Sequence, residues 1–165
     1  MFANCYRLST APELPASTLA QGCYNSMFLG CSNLIAAPEL PATTLANGCY
    51  DTMFSGCSRL TGINLPATEL APNCYQCMFQ NCSKLSTITL PATELKYNCY
   101  GLMFTGCSHL TGINVAFTVW DNGASTDRWV RDVAPTGVFT KSSILDPYTG
   151  DSYIPNGWAI NNIDA

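Results

Sequence analysis

Ten cysteines, a single histidine and a thin scatter of carboxylates are the residues of this 165-residue chain that could do chemistry. So many thiols would suit a disulfide framework, a zinc site of converging thiolates or a redox dithiol. The nearest approach to such a motif is Cys74-x-x-Cys77 with Cys82 five residues further on. Nine of the ten cysteines, however, fall into two regular columns: Cys5, Cys31, Cys57, Cys82 and Cys107, and Cys23, Cys49, Cys74 and Cys99. Periodic placement favours a structural role, in which each thiol meets its own kind in the next coil as a buried ladder of small, weakly hydrogen-bonding side chains. Parallel side chains keep their Cβ atoms near 5 Å apart, about 1 Å more than a disulfide accepts, so reduced thiols are expected. Cys77 stands outside the columns, where the other repeats have Ser26, Thr52 and Leu102, and Cys74 and Cys82 belong to the ladders. No metal site is expected there.

His109 sits beside Cys107 and Ser108, a neighbourhood that could serve a nucleophile. Its column explains it more simply. The equivalent residues are Arg7, Asn33, Arg59 and Lys84, all polar, which describes an exposed edge with a partly cationic stripe. The 11 Asp plus Glu are dispersed, no Gly-rich phosphate loop follows a strand and no nucleophile has a placed base. The chain therefore reads as a non-enzyme with no catalytic residue and no cofactor. A net charge of -4 with seven Lys plus Arg and no basic run argues against a nucleic-acid partner. Charged residues make up 11%, far below an average domain. Stacked coils explain this, since like charges about 5 Å apart repel. No apolar run approaches the roughly 18 residues that would span a bilayer, and no secretory signal stands at the start.

The elements that position these residues are written as a repeat. Met-Phe recurs at Met1, Met27, Met53, Met78 and Met103, at intervals of 26, 26, 25 and 25, and Leu-Pro-Ala recurs at Leu14, Leu40, Leu65 and Leu90. A short, regular period of this kind signifies a solenoid whose coils bury their apolar faces only against one another. The repeats are 1–26, 27–52, 53–77 and 78–102, with a half-repeat at 103–115; the two longer ones carry an extra residue in a Pro-Glu kink, Pro12-Glu13 and Pro38-Glu39. Because Met1–Leu8 aligns with Met27–Leu34, the chain is expected to be a fragment that begins in mid-repeat.

Leu60, Ile63 and Leu65, and Leu85, Ile88 and Leu90, follow the L-x-x-L-x-L spacing of a short parallel strand with those side chains turned inward. Only Gly and Asn occupy two further columns: Asn4, Gly30, Gly56, Asn81 and Gly106, and Gly22, Gly48, Asn73 and Asn98. Each is expected to turn the chain through a left-handed residue. The run between them, Cys49–Ser55 for example, is expected to be a short helical piece with Cys49 and Met53 on one face and Tyr50 and Phe54 on the next. The fold class is thus an α/β solenoid of leucine-rich type over 1–115. The period stops after Val115, and the aromatic 116–165 stretch is expected to be a C-terminal cap, with a separate small domain as the alternative.

The combination MFxGCSxLT, LPAT and CYxxMF resembles the BspA-like leucine-rich repeat family of bacterial, Bacteroides-type, surface proteins over about two-thirds of the chain. The Met-Phe-x-Gly-Cys element is also similar to repeats of mycoplasma surface lipoproteins. Trp129–Phe139 and Ile154–Trp158 resemble the segment that closes such arrays. The resemblance implies a curved solenoid, extracellular or at the cell surface, that binds a host or neighbouring-cell protein or glycan. It brings no ligand residues with it. The surface offered for binding is the strand face, where Gly62, Asn64, Thr87, Thr89, Gly112 and Asn114 point outward as a small, neutral, polar set. A plain solvated sheet is the competing account, since the face has no aromatic or Arg anchor. The alternative function is a structural or receptor-binding repeat segment of a phage tail or virion.

Overall fold

The computed structural model describes residues 1–163. Four strands, β1 (Thr87–Leu90), β2 (Gly112–Val115), β3 (Val138–Lys141) and β4 (Ala159–Asn162), form one parallel sheet in the order β1-β2-β3-β4. Successive strands pair in register, Ile88 with Ile113 and Ile113 with Phe139, so the chain advances one coil per strand. That is a parallel solenoid. In the earlier coils β-pairing is reduced to isolated bridges, Thr10 with Ala36 and Thr44 with Glu69. The expected strand at Leu60–Leu65 is not a ladder, although Leu60 and Leu65 are buried as foreseen. Pro12 and Pro38 share the register of Ile63 and have no N–H to donate, so coils one and two lack donors for the ladder that β1 begins.

The expected helical segments are not formed; among the described residues there is no helix. In their place runs a ribbon of overlapping turns. Every second residue donates to the carbonyl three back: Cys49 to Ala46, Asp51 to Gly48, Met53 to Tyr50, Ser55 to Thr52. The residues between donate sideways to the next coil, Tyr50 to Cys74, Thr52 to Gln76, Phe54 to Met78 and Gly56 to Gln80, at 2.8 to 3.0 Å. A helix needs each N–H turned back along its own chain, and half of these are spent on the neighbour. Gly48, Thr52 and Gly56 have φ of 58°, 58° and 76°, each at the third position of a turn, where type II geometry requires a positive value. The ribbon therefore repeats every four residues, as a helix nearly does. That is why Cys49, Tyr50, Met53 and Phe54 are all buried even though the helix is absent.

Stacking these ribbons builds the core. Phe2, Phe28, Phe54, Phe79 and Phe104 form one column with centroids 5.5 to 6.0 Å apart and planes within 6°. Tyr24, Tyr50, Tyr75 and Tyr100 form a second at 5.7 to 6.1 Å. Offset stacks of this spacing add about 0.5–1.5 kcal/mol per pair beyond their burial. The cysteines close the coils from the other direction: Cys57 Sγ donates to Phe28 O at 3.2 Å, Cys82 Sγ to Phe54 O at 3.1 Å and Cys107 Sγ to Phe79 O at 3.0 Å.

Past Val115 the winding continues without the repeat sequence. The ribbon at 98–106 donates to Ala124, Ser125, Asp127, Trp129 and Arg131, and β3 and β4 extend the sheet. Both aromatic columns end on one indole, Trp129, 6.0 Å from Tyr100 and 5.8 Å from Phe104. Trp129 Nε1 donates to Tyr153 O at 2.8 Å, and the 151–153 segment receives further ribbon donors, Val130 N–H on Asp151 O and Arg128 N–H on Ser152 Oγ. Of the 116–165 region, residues 164 and 165 lie outside the described part.

Candidate functional site

Most of the thiols are shielded inside the coils, and only Cys5 and Cys23 are exposed. All ten cysteines are free thiols. Seven are buried, and burial pushes the thiols up: Cys49 and Cys99 to about 11, Cys57 and Cys107 to about 12. A thiol held protonated this strongly is a poor nucleophile and a poor metal ligand. Cys77 is half-buried and also raised, by desolvation first and then by Asp51. Among the described residues no group of three or more His, Cys, Asp or Glu is placed to hold a metal ion. His109 is exposed, with Ser108 Oγ 3.5 Å from Nδ1. The polar stripe of Arg7, Asn33, Arg59, Lys84 and His109 is exposed along one edge, where Arg59 Nη1 donates to Asn33 Oδ1 at 3.3 Å.

The strand face is the remaining surface. Pairing of β1 with β2 sets Thr87 against Gly112 and Thr89 against Asn114, so these four residues lie side by side on the outward face. Thr87 and Thr89 are exposed, and Gly112 and Asn114 are half-covered. Thr89 Oγ1 accepts from Asn114 Nδ2 at 3.2 Å, and Thr87 Cγ2 lies 3.0 Å from where a Cβ on Gly112 would stand. Gly62 and Asn64 are exposed one coil earlier, in irregular backbone. The inward partners Ile88, Leu90, Ile113 and Val115 are buried, which fixes the sheet and leaves the face free.

Sequence reasoning missed two extensions of this face. Val138 and Thr140, then Ala159 and Asn161, continue it through β3 and β4 by register, which no 25-residue period announces. At the other end Glu13 and Glu39 immediately precede Leu14 and Leu40, as Asn64 precedes Leu65. That signal was legible once Pro-Glu was counted as part of the column and not only as a kink.

Parallel coils, inward leucines and a flat outward strand column define a leucine-rich repeat solenoid. Residues 49–124 match the family model described as a BspA type leucine rich repeat region (6 copies). The matched stretch takes in the third and fourth repeats and the half-repeat after them. No curated protein matches the chain, and no solved structure matches it. A BspA-type repeat region points to a protein-binding module, and leucine-rich repeats are typically non-catalytic. No helix among the described residues is long and apolar enough to cross a membrane.

Proposed function

We propose that the chain is a non-catalytic adhesion or recognition module, extracellular or at a cell surface, that binds a host or neighbouring-cell protein or glycan through its strand face. The observation that carries this reading is the register of β1 and β2, which sets Thr87, Thr89, Gly112 and Asn114 in one open, neutral patch over a fully buried layer. Small residues let a ligand approach the backbone closely, as an extended surface without deep anchors requires. Gly62 and Asn64 prolong the patch. In this reading residues 116–165 close the array, a role supported by the convergence of both aromatic columns on Trp129.

The test is retention of the fluorescently labelled chain on cultured animal epithelial cells, read by flow cytometry. Saturable retention is expected, lost in Thr87→Arg/Thr89→Arg and kept in Arg59→Ser. Prior digestion of the cells with protease or with glycosidases separates a protein ligand from a glycan. Retention that ignores the β1 substitutions, or none at all, would sink the strand-face reading.

A further inference from the structure

The strand face changes character at its first two coils, and we propose that a furrow there receives arginine or lysine side chains of an extended partner segment. The inference deepens the strand-face reading and rests on it. A cavity of about 460 Å³ opens between the kinks of coils one and two, bounded by Pro12, Glu13, Pro15, Pro38, Glu39 and Pro41. A second, of about 320 Å³, shares Pro38, Glu39 and Pro41 and runs on to Ile63 and Asn64. The two form one trough across three coils.

Its chemistry is specific. Glu13 and Glu39 occupy the column that Asn64, Thr89 and Asn114 fill further along, and all the later members are neutral. Both glutamates are exposed, and neither stands among the ion pairs of the described residues. Two stacked carboxylates raise the local negative potential, and charge complementarity calls for a cation. A hard metal ion wants six or more oxygen ligands, whereas two carboxylates with prolines between them offer too few. A guanidinium or ammonium on an alkyl stem suits the walls better: the proline rings cover the methylenes while the charged head reaches the carboxylates. Residues two apart in an extended segment point to the same side, so two such cations can face the two carboxylates.

The probe is the pentapeptide Ac-Ala-Arg-Ala-Arg-Ala-NH2, titrated into the intact isotope-labelled chain and followed by amide chemical shifts, with the citrulline counterpart as the uncharged control. The arginine peptide is expected to move signals of the Pro-Glu kinks and Asn64, and the citrulline peptide to leave them in place. Glu13→Gln/Glu39→Gln should weaken binding about fivefold or more, the scale of two partly exposed ion pairs, and added salt should do the same. Glu94→Gln, outside the trough, should change nothing. Equal shifts from both peptides, shifts centred elsewhere, or an unaffected double glutamine variant overturn the proposal. If cell retention still vanishes in Thr87→Arg/Thr89→Arg, only the furrow falls; if retention also ignores the face, both readings fall.

Discussion

Thr52 and Gly56 perform the same backbone task with different chemistry, at φ of 58° and 76°. At Gly56 an added Cβ would meet Gly30 Cα at 3.5 Å, an ordinary contact, so space permits a side chain and only the dihedral resists it. Gly56→Val should cost well over about 1 kcal/mol in thermal or urea melts and Gly56→Asn much less, because a branched Cβ is the worst fit to the left-handed region. Two equal losses would contradict the dihedral argument. The column of Ser26, Thr52, Cys77 and Leu102, with φ of 53°, 58°, 52° and 54°, shares the same strain without sharing the residue types that announce it. Thr52→Gly and Leu102→Gly should therefore stabilise, each by up to about 1 kcal/mol, a sign reversed from glycine's usual effect. The buried thiols make a second residue-scale prediction. Burial raises all seven, with Cys49, Cys99, Cys57 and Cys107 pushed up to about 11 to 12 against an ordinary 9.0, so in that interval the unfolded chain releases protons that the folded one keeps. Stability is then fully present below about pH 8 and falls from pH 9 upward toward pH 11 to 12. Urea midpoints of reduced protein measured from pH 6 to 11 should be flat and then decline; a flat line throughout would mean that the thiols are not buried.

The turn ribbon, taken as an element, shows how far a sequence can be read and where reading stops. Met-Phe, Cys-Tyr and the Gly/Asn columns located each coil, its two bends and its buried faces. They could not distinguish a helix from a four-residue ribbon, because both place i and i+4 on one side. The choice is made by the neighbouring coil, which takes half the N–H donors, as Tyr50 to Cys74 and Phe54 to Met78 show. The neutral strand-face set was legible from L-x-x-L-x-L, whereas β3 and β4 were not, since pairing with β2 and not internal pattern defines them. Trp129 illustrates the same limit. It stands where Met103 stands one coil earlier, receiving the Phe104 N–H that matches Phe79 on Met103, and its indole spans the ends of both ring columns. Trp129→Ala should cost about 3–5 kcal/mol in urea unfolding, the range for deleting a buried indole. Amide exchange should quicken first at Tyr100 and Phe104, whose donors end on the Trp129 coil. A loss under about 1 kcal/mol, with exchange unchanged there, would show that the columns do not need that ring.

In the whole molecule each coil touches only its neighbours, so stability is a sum of nearest-neighbour terms and local opening should begin at an end. The two ends of the described chain differ. At the C-terminal side Asp151, Ser152 and Tyr153 take up ribbon and indole donors, whereas in the first coil Cys5 and Cys23 are exposed and Met1 is 96% exposed. The cysteine columns run from the first coil to Cys107 and so report this gradient coil by coil over that span. Iodoacetamide applied to the reduced native protein should modify Cys5 and Cys23 first, Cys77 more slowly from its half-buried site, and the seven buried thiols only on opening. Among those seven, Cys31 and Cys49 lie in the second coil and should react before Cys82 in the fourth and Cys107 in the fifth, because opening two coils costs less than opening four or five. Peptide mass spectrometry over time gives all ten rates in one experiment. Buried thiols that react at a single common rate would mean that the stack opens as one cooperative unit. Cys82 reacting as fast as Cys5 would mean that the columns are not closed at all.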